Sequence, residues 1–321
     1  MSATAVTKTQ YRVRNWRAYN ESLVQRGNLT VWVSEDIVAQ WNYQGPPQRG
    51  AQFVYSDTAI ECALTLREWY KLPLRATEGC MCSVMALLAP GVQVPDYSTF
   101  SKRAKTLKIQ LPRLARSETP SEGVHLVVDS SGLKMYGEGE WKVRQHGAAH
   151  RRGWRKLHLA IDAHSQMIEA ALLTEATVAD ADAVAPLLAQ IPTPLAAVGA
   201  DGAYDKRKVY TVVTAHSPTA QCLIPPRRNA KIQQHGNCAQ PPLQRDEHLR
   251  RIRQVGRAKW KKECGYHRRS LAETAMFRCK TLFGPALSNR TLETQATQVG
   301  LRCRALNIVT QLGMPDSYPV T

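Results

Sequence analysis

Between Val124 and Ala200 the chain shows an order of strand and helix patterns that few folds accommodate. Three short apolar patterns typical of strands come first, at Val124–Val128, Trp154–Asp162 and Met167–Leu173. A helical pattern over Asp180–Ile191 follows, with acidic residues in its first turn as the helix dipole favours. A fourth strand pattern, Leu195–Ala200, completes the series. This order predicts an α/β fold with a mixed sheet.

Two acidic residues follow directly on strands of this predicted sheet. Asp129 comes after the first strand and Asp201 after the fourth. A connection through a helix makes the fourth strand parallel to the first, so both residues are expected at the same sheet edge. Strand, strand, strand, helix, strand is how a ribonuclease-H-like domain begins. We therefore predict a ribonuclease-H-like domain, a mixed sheet flanked by helices, preceded by a mainly helical region.

The charge of the chain favours a polyanionic partner. Lys and Arg number 43 against 26 for Asp and Glu, which gives a net charge of +17. A ribosomal-type or membrane-surface protein is the alternative, but 43% hydrophobic residues favour a globular body. Residues 227–262 hold eleven of the basic residues and only two acids. Such a run is often merely solvated, yet its position predicts DNA contact, beginning at Arg227 and Arg228.

The first 117 residues have helical spacing of apolar side chains. Helices are predicted at Asp57–Tyr70 and Ala76–Leu88, and after a break at Gly91–Asp96 a further helix is predicted at Thr99–Leu107, with Ser98 as its N-cap. This is a helix-turn-helix arrangement, and its last helix carries side chains that reach phosphates and base edges, Ser101, Lys102, Arg103 and Lys105. A solvated helix in an ordinary bundle is the alternative. We divide the chain into 1–117, a DNA-end-binding region, and 118–321, a catalytic domain with a basic insertion at about 206–265.

A second cluster of polar residues lies near the end of the chain. At roughly 100° per residue, Tyr266, Arg269, Glu273 and Lys280 fall within about 60° of one another on a helix. One carboxylate flanked by two cations and a phenol suits a phosphate beside a metal ion. Each residue also has a simpler interpretation, such as an intrahelical pair of Glu273 with Arg269 or a turn at Asp201, with Asp205 or Asp162 as rivals.

Together, Asp129, Asp201 and Glu273 favour metal-dependent phosphoryl transfer. Three carboxylates can hold two Mg²⁺ ions roughly 4 Å apart, one activating the attacking oxygen and one stabilising the leaving oxygen. Hard oxygen ligands suit Mg²⁺ or Mn²⁺ and disfavour zinc. A zinc site involving Cys222, His235, Cys238 and Cys264 matches no familiar ligand spacing.

Several stretches carry a resemblance to a known family. They are VVDSSGLKMYGEGEWKVRQHG around Asp129, ADGAYD around Asp201, LIPPR at 223–227 and YHRRSLAETAMFRCK at 266–280. They closely resemble the DDE transposases of bacterial insertion sequences, in the family numbered five. That family lies in the group whose signature is Tyr, two residues, Arg, three residues, Glu, six residues, Lys or Arg. The similarity extends to NWRAYNESLVQRGNLTVWVSED, PDYSTFSKR and RALNIVTQLGMPDS, and so covers most of the chain.

The resemblance implies a role for each matched residue. Asp129, Asp201 and Glu273 are implied as catalytic metal ligands, and Tyr266, Arg269 and Lys280 as contacts of the transposon end. The implied function is DNA transposition: binding of terminal inverted repeats, then Mg²⁺-dependent cleavage and strand transfer. Two ends must be processed together, so a homodimer on double-stranded DNA is expected. The alternatives are a catalytically silent DNA-binding protein descended from a transposase and a simple metal-dependent nuclease.

A hairpin and a compartment complete the predictions. The region of Trp141 and Trp154 is expected to form a positive hairpin that can stack on an unpaired base, although core tryptophans are the alternative. Its basic residues are Lys142, Arg144, Arg151, Arg152, Arg155 and Lys156.

No apolar run approaches a membrane span and the start is polar, so we expect no membrane partner and a cytoplasmic, nucleoid-associated protein in a bacterium.

Overall fold

The computed structural model describes residues 10–47, 49–50, 52–113, 123–135, 153–235 and 242–320. Its amino-terminal elements are one strand and six helices: β1 Gln10–Val13, α1 Trp16–Gln25, α2 Leu29–Trp32, α3 Glu35–Ala39, α4 Asp57–Tyr70, α5 Leu74–Leu88 and α6 Tyr97–Arg103. The next elements form the sheet and its first helices: β2 Val124–Met135, β3 Trp154–Asp162, β4 Ile168–Glu175, α7 Asp180–Leu188, β5 Leu195–Gly199, α8 Arg207–His216 and β6 Gln221–Leu223. The last are α9 Gln244–Val255, α10 Arg257–Glu263, α11 Ser270–Phe283, β7 Ala286–Leu287, α12 Leu292–Leu312 and β8 Ser317–Val320.

The main sheet has the order β4, β3, β2, β5, β6, with β7 added to the end of β2. Strands β2, β3 and β4 pair antiparallel, whereas β5 runs parallel to β2 and β6 parallel to β5. This is the mixed sheet that the order of strand and helix patterns predicts. The predicted fold class, an α/β mixed sheet of the ribonuclease-H-like kind flanked by helices, is confirmed by this strand order.

Strand β2 is longer than its apolar pattern indicates. The prediction ended it at Val128, but it continues to Met135 because β3 pairs with it from Leu126 to Lys134. Asp129 therefore lies within the strand rather than after it. The turn chemistry of Ser130, Ser131 and Gly132 is overridden by the hydrogen bonds of a full antiparallel partner.

The two faces of the sheet bury different sets of apolar residues. Val127, Leu133 and Leu159 face one core, which is shared with α11, α12 and the amino-terminal helices. Leu126, Val128 and their neighbours face a second core against α7 and α8. Alternation along the strand produces this division, since successive side chains point to opposite faces.

The amino-terminal helices join the sheet through α12. Helix α4 packs on α12, and between them the buried carboxylate of Glu68 accepts hydrogen bonds from Arg302 Nε at 2.7 Å and Gln298 Nε2 at 2.9 Å. Strands β1 and β8 also pair antiparallel, which brings the two ends of the described chain together. The described residues of 1–117 and 118–321 thus share one core, and the division into two domains stays a prediction.

Helix α6 begins earlier than predicted. Asp96, not Ser98, is its N-cap, and the Asp96 Oδ1 atom accepts a hydrogen bond from the Thr99 amide at 2.6 Å. These hydrogen bonds lower the pKa of Asp96. Among the described residues, no helix has the length and apolarity needed to cross a bilayer.

Candidate active site

Asp129 is presented by β2 toward α11. It shares a face of the strand with Val127 and Ser131, because residues two apart point the same way. The side chain is half-buried, and its Oδ1 atom accepts a hydrogen bond from the Ser130 amide at 2.9 Å. This bond fixes the orientation of the carboxylate.

Asp201 follows β5 at the point where the sheet register places it beside Asp129. The last paired residues of the two parallel strands are Val127 and Gly199, and two residues beyond each lie Asp129 and Asp201. Asp201 caps the short 3₁₀ turn Gly202–Tyr204, with its Oδ1 atom accepting from the Ala203 amide at 2.8 Å. The expected meeting of the two carboxylates at one part of the sheet thus has a direct structural cause.

The two rival acids near Asp201 have structural roles. Asp205 is buried, pairs with Arg245 Nε at 2.8 Å and accepts from the Arg227 amide at 3.0 Å. Asp162 is also buried and closes the turn after β3, accepting from the amides of residues 164 and 165. Both carboxylates are thus engaged by donors of the surrounding loops.

Glu273 comes from the first turn of α11 and is linked to Asp129 through one guanidinium group. Arg269 donates from Nη1 to Asp129 Oδ2 at 3.3 Å and from Nη2 to Glu273 Oε1. Burial alone would lower the pKa of Arg269, but the hydrogen bond to Glu273 and the surrounding negative charges raise it. Arg269 is therefore a permanent cation between two carboxylates.

The predicted continuous helical stripe is only partly correct. Helix α11 begins at Ser270, while Tyr266 and Arg269 lie in a preceding 3₁₀ turn, Tyr266–Arg269. Gly265, with φ of +64°, leads into this turn. Tyr266 still borders the site: burial raises the pKa of its phenol, and the carboxylates of Asp201 and Asp129 act in the same direction against Arg269.

Lys280 lies two helical turns after Glu273, on the same side of α11, and reaches β2. Its Nζ atom donates to Ser131 Oγ at 2.5 Å. The sequence prediction did not include Ser131. The signal that could have found it is the period of two along a longer β2, which places Ser131 on the face of Asp129.

The three carboxylates influence one another electrostatically. Burial raises the pKa of Asp129, with smaller contributions in the same direction from Asp201 and Glu273, while the Ser130 amide and Arg269 oppose them. Such hard oxygen donors fit a divalent cation like Mg²⁺. In the described part of the chain, no three His, Cys, Asp or Glu residues stand close enough together to hold a metal ion as arranged. Arg269 supplies the positive charge between Asp129 and Glu273 instead.

The opposite face of β2 carries a second polar group beneath the site. Ser130 Oγ donates to Asp180 Oδ1 at 2.7 Å, and the same carboxylate lies 3.3 Å from Lys156 Nζ. Lys156 also donates to the Val178 carbonyl at 2.8 Å. Arg155 is paired with Glu175 and donates from Nε to Gln295 Oε1 at 2.9 Å. Both predicted DNA contacts on β3 are thus engaged within the protein.

The remaining predicted DNA contacts fall into different environments. Arg103 is only 8% exposed, donating to the Tyr55 carbonyl at 2.9 Å and to Asp57 Oδ1 at 2.5 Å, so it stabilises the helical region instead of facing DNA. Lys102, Arg227 and Arg228 are exposed. Arg144, with Trp141 and the rest of the predicted hairpin tip, lies outside the described residues.

Comparison with known proteins adds two family matches. Two models, both described as Transposase DDE domain, match the chain, one over residues 24–138 and the other over residues 120–308. The second match alone spans more than half of the 321 residues and includes all three carboxylates.

One solved structure is also similar. It is the cryo-EM structure of a piggyBac transposase synaptic complex with hairpin DNA, with a TM-score of 0.38 and 10% sequence identity. The similarity covers 94% of this chain and 77% of that chain.

Proposed function

This chain belongs to the Transposase DDE domain family, and we propose that it cleaves and transfers the ends of an insertion sequence of the family numbered five. Asp129, Asp201 and Glu273 are the catalytic residues in this proposal. The observation that carries it is the approach of three carboxylates from β2, the end of β5 and α11, with Arg269 between two of them. A structural role does not require this grouping of like charges.

Divalent metal ions are general in the family, and we assign two Mg²⁺ ions, replaceable by Mn²⁺, to these three carboxylates. When bound, the metal supplies charge stabilisation at phosphorus and an activated oxygen nucleophile. The chain's own residues orient the DNA: Arg269 offers a guanidinium that can bind a phosphate through two hydrogen bonds. Lys280, held by Ser131, offers a second positive charge on the same side of α11.

The partner is double-stranded DNA, recognised as terminal inverted repeats by the amino-terminal region and bound through exposed Lys102, Arg227 and Arg228. Tyr266 borders the site where the cleaved end lies. Two copies of the chain process two ends together, in the cytoplasm of a bacterium.

The second candidate is a silent DNA-binding protein derived from a transposase. It would keep the basic surface without needing ionised carboxylates at the site. The half-buried Asp129 argues for the enzyme, because burial disfavours its charged form and a binding protein gains nothing from that cost.

Cleavage of a labelled duplex that carries the element's end tests the proposal. Wild type should cut at the end with Mg²⁺ and not with Ca²⁺. Glu273→Gln should bind the same duplex but lower the cleavage rate by about 10³-fold or more, because it removes one charged ligand of the reacting centre.

A matched control is Glu21→Gln on α1. Glu21 pairs with Arg17 four residues earlier, as Glu273 pairs with Arg269, but it lies on α1 and not in the carboxylate site. This variant should cut like wild type. Binding without cutting by wild type under Mg²⁺ and Mn²⁺ would replace the enzyme with the DNA-binding alternative.

A further inference from the structure

A groove outside the carboxylate site separates helices α4 and α6 from the start of α12. It encloses about 440 Å³. Its floor is apolar, with Leu64, Phe100 and Leu301 buried there. Its walls are polar and include the loop between β7 and α12, with Ser288, Asn289, Arg290 and Thr291.

Among the residues that the structure describes, three cations and no acid line this groove. They are Arg67 on α4, Lys105 after α6 and Arg290 in the loop before α12. Lys105 and Arg290 are exposed, and neither side chain has a hydrogen bond or an ion pair within the described residues. Local hydrogen bonds, and more weakly the positive charge of Lys105, lower the pKa of the nearby Glu293.

Arg67 is held in the wall of the groove with part of its donor capacity unused. Its Nη atoms donate to Glu68, Asn289 and Ser288 at 3.2 to 3.3 Å. Its Nε atom is buried and has no hydrogen-bond partner among the described residues. Burial lowers the pKa of this guanidinium, although Glu68 opposes the shift. Because little water reaches this guanidinium, an anion bound in the groove would stabilise its positive charge.

We propose that this groove binds the phosphate backbone of duplex DNA, with Lys105 and Arg290 as the two phosphate contacts and Arg67 behind them. The hydroxyl and amide groups of the walls supply further hydrogen bonds to phosphate oxygens. This rests on the proposed function, in that the DNA is the element's end. In this proposal the segment after α6 and the loop before α12 jointly form one contact with the DNA backbone. Lys102, by contrast, lines a separate depression with Arg75 and Tyr97.

The test measures how DNA affinity depends on salt concentration. Each phosphate contact releases counter-ions and contributes about 0.9 to the slope of log affinity against log salt. Lys105→Ala with Arg290→Ala should therefore reduce the slope by about 2 and weaken binding of an end-bearing duplex by roughly 60-fold at 0.1 M salt. The charge-preserving pair Lys105→Arg with Arg290→Lys should keep the wild-type slope.

The matched control removes two cations from the other end of α12. Arg12 on β1 and Arg17 on α1 lie near the carboxyl-terminal end of this 21-residue helix, about 30 Å from its start. Arg12→Ala with Arg17→Ala has the same net charge as the groove variant and should bind with the wild-type slope. Thermal unfolding checks that all variants are folded.

The possible outcomes separate the two proposals. If wild type binds and the groove variant keeps its slope, or loses no more than the control, the groove is not a phosphate site while the proposed function stands. If wild type binds no end-bearing duplex, both fail. A slope reduced only in the groove variant supports the site.

Discussion

Arg269 shows how one residue can serve both the fold and the chemistry. It lies between Asp129 and Glu273, with its guanidinium hydrogen-bonded to both. Without this cation, the half-buried carboxylate of Asp129 would face the carboxylates of Glu273 and Asp201 without the counter-charge that Arg269 supplies. We predict that Arg269→Gln lowers the free energy of unfolding by about 1 kcal/mol in EDTA at low salt.

The comparison for this prediction is Arg17→Gln. Arg17 forms the same type of pair with Glu21, but its side chain is 96% exposed. Exposed pairs contribute little, so this variant should change stability by no more than a few tenths of a kcal/mol. Urea unfolding of both variants measures the difference. Equal losses would mean that the cation between the carboxylates has no special role in stability.

At the level of elements, apolar patterns predicted the bounds of helices and strands more accurately than polar residues did. Helix Asp57–Tyr70 and strand Trp154–Asp162 were predicted with their observed bounds, because each has a clear period and a clear cap or edge. The predicted end of β2 and the predicted start of α11 were wrong. Both depend on tertiary contacts, with β3 extending one and the 3₁₀ turn after Gly265 delaying the other.

The same limit applies to basic side chains. Arg103 and Lys102 are neighbours on α6 and are equally suited to DNA in sequence. Only the position of Tyr55 and Asp57 in space reveals that Arg103 is buried. A sequence pattern gives the face of a helix, whereas the partner of a long charged side chain depends on residues far along the chain.

The contact between α4 and α12 leads to a prediction about a buried ion pair. Glu68 and Arg302 have side chains only 5% exposed, and Gln298 adds two hydrogen bonds to the same carboxylate. Glu68→Ala leaves Arg302 as a buried unpaired charge and should cost roughly 3 to 5 kcal/mol. Urea unfolding measures this loss. Exposed Glu35→Ala should cost a few tenths, and adding Arg302→Met to Glu68→Ala should recover part of the stability.

Glu61, on the same helix, predicts a dependence of stability on pH. Burial raises its pKa to about 7, although Arg304 opposes this shift. Between pH 4.5 and about 7 the folded carboxyl keeps its proton while the unfolded one ionises. The free energy of unfolding therefore falls as the pH rises to about 7. Relative to wild type, the free energy of unfolding of Glu61→Gln should be higher at pH 8 than at pH 5, by on the order of 1 kcal/mol. Unfolding curves that differ equally at both pH values would contradict this.

At the scale of the whole molecule, the net charge affects how two copies can meet. Each chain carries +17, so two free chains repel at moderate salt. A proposed assembly that processes two DNA ends needs both copies together. DNA supplies the missing negative charge, so pairing of the chains is expected to depend on DNA.

We therefore predict a monomer of 35.8 kDa in the absence of DNA and a complex of two chains when end-bearing duplex is added. Light scattering of the protein alone and of the complex measures both masses at the same salt concentration. A dimer without DNA would show that an apolar interface outweighs the repulsion. If two copies act jointly, an equal mixture of wild type and Glu273→Gln leaves about a quarter of the complexes with two active sites. DNA neutralises the charge of wild-type and variant chains equally, so the copies should assemble at random. Joint processing of paired ends should then fall to about a quarter of the wild-type level, whereas independent monomers would keep about half.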